Sequence, residues 1–61
     1  MNYLISESFY LGKDFWEIGL YKHQNVWKID TAYFGNLPIT ALRGELKQIV
    51  TKILKNYYKE A

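Results

Sequence analysis

Apolar and polar residues alternate along the first half of the chain. In "YLISESFYL" (3–11), Tyr3, Ile5, Phe9 and Leu11 share one parity, and Glu7 is the one charge among them. In "FWEIGLYK" (15–22), Trp16, Ile18 and Leu20 share a parity, and in "VWKIDTAYF" (26–34) Trp27, Ile29, Thr31 and Tyr33 do. A period of two in β-branched and aromatic residues predicts half-buried strands. "GKD" (12–14) and "HQN" (23–25) are turn sequences between them. The period then changes. From Leu42 the apolar residues fall at 42, 46, 49, 50, 53, 54 and 57, the stripe of one long helix. Pro38 precedes it, Thr40 is its expected N-cap, and Gly44 in its first turn implies a close approach of helix backbone to the sheet. The expected fold class is α+β. An antiparallel three-stranded meander packs on one C-terminal helix, and "NLPIT" (36–40) is a candidate short fourth strand.

Turns centred on Gly12-Lys13 and Gln24-Asn25 fix the pairing. Phe9 then faces Trp16, Glu7 faces Ile18 and Ile5 faces Leu20. Across the second turn, Leu20 faces Ile29, Ile18 faces Thr31 and Trp16 faces Tyr33. Cross-strand partners share a face. The predicted core is therefore Trp16, Ile18, Leu20, Trp27 and Ile29 under the helical Leu46, Ile49, Val50 and Ile53. Glu7 on an edge strand is an inward charge that guards against edge pairing. The opposite face collects Leu4, Tyr10, Phe15, Tyr21, Val26 and Phe34, with Glu17, Lys28 and Asp30 among them. Its middle is floored by the small residues Ser6, Ser8, Gly19 and Ala32. Scattered apolar residues are common on a solvated face, but this many on so small a sheet approach the size of an interaction patch.

Composition sharpens this picture. At 61 residues the chain is one small domain (1–61), and it has no cysteine. A domain of this size buries only about 60% of its unfolded surface. Without disulfides its stabilisation falls to large side chains or to a partner. The 18% aromatic content answers to the first need, and a homodimer covering the open face would answer to the second. Net charge is +2, too mild to indicate a nucleic-acid partner by itself. The opening residues lack a signal-peptide pattern and no run is long enough to span a membrane. The expectation is a cytoplasmic protein with no membrane partner.

Few residues carry candidate chemistry. His23 stands beside a turn next to Lys22 and has no adjacent acidic residue or thiol to complete a metal set or orient a general base. Glycines 12, 19, 35 and 44 have no phosphate-loop spacing, and Ser6 and Ser8 lack a nucleophile elbow. No enzyme, metal or cofactor is expected. Lys52, Lys55 and Lys59 lie opposite the apolar stripe, where the helix C-terminus favours cations. Tyr57 continues the stripe and Tyr58 points away from it.

Residues 16–54, with "KIDTAYF" (28–34) followed by "LPITALRGEL" (37–46), resemble the core of the positive-cofactor-four type transcriptional coactivators. That resemblance implies a homodimer that binds single-stranded DNA through basic and aromatic residues of its sheets. The chain departs from that pattern in lacking a basic, glycine-containing run before the helix and in carrying Glu17 and Asp30 on the open face. Three-strand-plus-helix DNA-binding domains of phage integrases share the element order, but their dense Lys/Arg sheets have no counterpart here. Two functions follow. One is a dimeric single-stranded nucleic-acid binder using Tyr10, Phe15, Tyr21, Lys22, Lys28, Phe34, Lys52, Lys55 and Lys59. The other is a protein-interaction module, a small inhibitor or regulator, using the open face or an edge strand.

Overall fold

A computed structural model describes residues 2–60. Four antiparallel strands, β1 (Ile5–Leu11), β2 (Asp14–His23), β3 (Val26–Thr31) and β4 (Gly35–Pro38), form one sheet in chain order. A short 3₁₀ turn (Ile39–Ala41) leads to one helix, α1 (Gly44–Glu60). The class is α+β, and the short fourth strand is present.

The turns set the register as expected. Gly12 has a φ of 64° and opens the two-residue turn between β1 and β2. Gln24 and Asn25 both have positive φ, 53° and 64°, the signature of a type I′ hairpin turn. Phe9 pairs with Trp16, Glu7 with Ile18 and Ile5 with Leu20; Leu20 pairs with Ile29 and Ile18 with Thr31.

The third strand ends earlier than the alternation implies. The Thr31 hydroxyl accepts hydrogen bonds from the backbone N–H groups of Tyr33 and Phe34, both at 3.2 Å. This local turn closes β3 at Thr31, and Gly35, at φ 67°, starts β4 opposite it. Tyr33 therefore lies outside the ladder, yet its ring still reaches Trp16, with centroids 4.2 Å apart.

The core lies between the sheet and α1. Leu20 and Ile29 are 0% exposed and meet Val50, with Ile18, Leu42, Leu46 and Leu54 around them. Trp16, Trp27 and Ile53 join this cluster as half-buried margins, and Ile49 is half-buried outside it. The two tryptophans thus bound the core and do not centre it. Aliphatic side chains from paired strands fill the middle, and the indoles pack against its edge.

Two details of the helix start differ from expectation. Thr40 belongs to the 3₁₀ turn and caps nothing there. Gly44 has a φ of 67°, and a Cβ built on it would meet nothing within 4 Å. Its role is the left-handed backbone needed to enter the helix; close packing is not involved. Arg43 braces this junction, donating to the carbonyls of Thr40 at 2.9 Å and Leu42 at 2.7 Å.

Candidate functional site

The open face is built by the residues of β1 to β3 that alternate with the core set. Its small residues do floor a trough, lined by Ser6, Ser8, Glu17, Gly19, Asp30 and Ala32. The trough is not vacant along its length. Tyr3 lies across it, and this corrects the placement of Tyr3 on the core parity. A bend at Leu4 interrupts the alternation, and the Leu4 N–H donates to the Leu20 carbonyl at 2.8 Å. The Tyr3 ring is thereby laid on Gly19, where a Cβ would stand 2.5 Å from a ring carbon. Glycine at 19 is what makes room for it.

Tyr3 is tied at its far end as well. Its hydroxyl donates to Asp30 Oδ2 at 2.5 Å. This hydrogen bond, then partial burial, then the Asp30 charge hold the phenol above the ordinary tyrosine range of about 10. Its ring also stands 6.1 Å from that of Tyr21. Tyr21, expected as an exposed aromatic, is accordingly only 6% exposed.

A second aromatic pair remains open to water. Tyr10 and Phe15 face each other near the β1–β2 turn, ring centroids 5.1 Å apart, and Tyr10 is 73% exposed. Lys28, half-buried, shares this face between Tyr21 and Pro38. The other sequence-expected site residues lie elsewhere. Lys22 pairs with Trp27 on the helix side, its Nζ 5.5 Å from the indole centroid. Phe34, in the loop after β3, stands 5.9 Å from Trp16 at the core margin. Lys52 and Lys55, with Lys47, follow the outer surface of α1, and Lys59 lies in its last turn. The nine residues therefore occupy three surfaces. Charge divides the same way, with Glu17 and Asp30 beside the sheet trough and lysines along the helix.

Tyr58, expected to point away from the apolar stripe, is used within the chain. Trp27 Nε1 donates to its hydroxyl at 2.7 Å, and the rings of Tyr57 and Tyr58 meet Trp27 edge-on. His23 ends β2 opposite Val26 and is exposed. Among the described residues no three His, Asp or Glu side chains gather as a metal site, and no helix is long and apolar enough to cross a membrane.

The two edges of the sheet differ. β4 has four residues and ends in Pro38, a strand that offers little to an incoming backbone. β1 has seven residues, without Pro or Lys. The two-residue turn makes Leu11 and Asp14 a hydrogen-bonded pair, and such pairs alternate along an antiparallel ladder. Leu11, Phe9, Glu7 and Ile5 therefore bond to β2, while Ser6, Ser8 and Tyr10 turn their N–H and C=O groups outward. Among the described residues no strand lies beyond β1 to meet them.

Comparison with known protein families, with curated proteins and with solved structures finds no match for this chain.

Proposed function

We propose that this chain is a non-enzymatic binding protein whose partner is another protein, engaged along the β1 edge and the Tyr10–Phe15 flank of the open face. The observation that carries this reading is the coincidence of a seven-residue edge strand without Pro or Lys with the most exposed aromatic pair of the sheet. Main-chain bonds along such an edge give affinity, and side chains beside it give selectivity. The flank also lies next to Glu17, which pairs with Ser8 and is the diagonal neighbour of Tyr10 across the ladder; an acid there suits a protein better than a phosphate backbone.

A second reading keeps single-stranded nucleic acid as the partner, bound through the lysines of α1. It is favoured by the alignment of Lys47, Lys52 and Lys55 on one exposed helix surface and by the resemblance to the positive-cofactor-four type coactivators. Titration of labelled single- and double-stranded oligonucleotides at two salt concentrations separates the readings. The protein-partner reading expects no salt-sensitive binding. Binding that weakens steeply with salt and is lost in a Lys52→Gln/Lys55→Gln/Lys59→Gln variant overturns it in favour of the second. Affinity isolation adds the positive arm: a protein retained by the native chain and lost by Tyr10→Ser/Phe15→Ser supports the first.

A further inference from the structure

We infer that the occupant of the β1 edge is the β1 edge of a second copy, giving a two-fold dimer with a continuous eight-stranded sheet. This rests on the protein-partner reading above and names the partner. An edge that is long, lacks Pro and Lys, and is left unpaired is a template for another strand. Among the described residues there is one such edge, because β4 is short and ends in Pro38. One free edge per copy closes the assembly at two, whereas two free edges would give an open polymer. A net charge of +2 puts little repulsion between copies.

The register follows from charge and shape. Only the outward-turned Ser6, Ser8 and Tyr10, with Gly12 beyond them, can exchange backbone bonds across the axis. A two-fold axis at Glu7 would set one Glu7 directly on the other, and an axis at Ser8 would leave them diagonal neighbours. An axis at Phe9 removes the conflict. Glu7 then faces Leu11 of the other copy, and the two Glu7 stand about four residues apart, roughly 13 Å. Phe9 meets its own copy on the helix side. On the open side Tyr10 lies over the small Ser8 of the other copy. The exposed Tyr10–Phe15 pairs of both copies come together at the axis, which covers the most exposed aromatic of the sheet.

Three measurements on the full chain test this. Sedimentation across the micromolar range is expected to show a monomer–dimer equilibrium; a monomer throughout, or an open-ended polymer, overturns the inference. Ser8→Pro is the selective variant. Its N–H points away from β2, so the fold tolerates proline there, while two symmetry-related bonds of the dimer vanish and the ring blocks the approach. The dissociation constant is expected to rise about tenfold or more. A dimer untouched by Ser8→Pro but lost in Phe15→Ser/Val26→Ser, two exposed positions of the open face, overturns the edge in favour of face-to-face packing. The absence of native cysteine makes the register readable. Phe9→Cys is expected to form a disulfide-linked dimer on oxidation, since opposed Cα atoms of a strand pair lie within bridging distance. Cross-linking through Glu7→Cys or Ser8→Cys in place of Phe9→Cys overturns the register. A monomeric native chain that still retains a foreign protein through Tyr10 and Phe15 would sink the self-pairing alone; loss of both would sink the protein-partner reading with it.

Discussion

The sheet has two aromatic-bearing faces, and they are closed by very different means. One is sealed by α1, whose Leu46, Val50 and Leu54 meet the fully buried Leu20 and Ile29. The other is crossed by a single side chain, Tyr3, held by its hydroxyl bond to Asp30 and by the bend at Leu4. The same alternation of residues builds both. What differs is the cover: a 17-residue helix on one side, one ring on a glycine on the other. A pleated surface therefore does not decide by itself which side is core. The decision falls to whatever apolar segment the rest of the chain can bring to it.

Truncation on the helix side breaks the comparison most strongly. Leu20→Ala and Ile29→Ala are each expected to cost about 2–5 kcal/mol, enough to unfold much of so small a domain, as urea denaturation would show. Gly19→Ala strikes the other face. The added Cβ would stand on the Tyr3 ring, and the expected loss is about 1–3 kcal/mol, with the Tyr3 resonances freed from Gly19 and Tyr21 in a nuclear Overhauser spectrum. If Gly19→Ala costs as much as Leu20→Ala, the second face is as much a core as the first. Tyr58→Phe removes the acceptor of the Trp27 indole, with an expected loss of about 0.5–1.5 kcal/mol and a shift of the Trp27 Nε1–H resonance.

The smallest effect is a matter of pH. The Tyr3 phenol is held above its ordinary range by the bond to Asp30, so folding favours its protonated form. Its contribution is fully present below about pH 10 and is lost as pH rises through the folded value. Ultraviolet titration should show a late tyrosine step above the ordinary phenol value in the native chain, and Tyr3→Phe should abolish that late step. A late step that survives in Tyr3→Phe would assign it to another ring.

Register was legible in the sequence because two-residue turns leave no slack. Once Gly12-Lys13 and Gln24-Asn25 are placed, every pair from Ile5 to Thr31 is set. The helix stripe was legible from its spacing. Tyr3 was not, because a bend at Leu4 lies outside any rule of alternation, and Tyr3 and Ile5 share a parity while lying on opposite faces. The fate of Lys22 could have been read from its pairing with Trp27, since a residue opposite a core indole shares its side. The end of β3 turns on a hydroxyl, Thr31, whose preference for its own following N–H groups competes with the ladder. The burial of Tyr21 followed from Tyr3, so missing one meant missing the other.

The bond from Trp27 to Tyr58 spans 31 residues, and it has a consequence for how the fold assembles. Every strand pairs with the strand next to it in the chain, so each ladder can zip from its own tight turn with little loop entropy to overcome. The C-terminal end of the helix is the exception, since it must return to the start of β3. The two indoles are accordingly two separate clocks. Trp16, beside Tyr33 across the strand turns, senses the zipping of the hairpins, and Trp27, beneath Tyr57 and Tyr58, senses arrival of the helix. In stopped-flow fluorescence of the Trp16→Phe and Trp27→Phe chains, a shared rate would mark one cooperative transition and different rates would mark helix docking as a separate step.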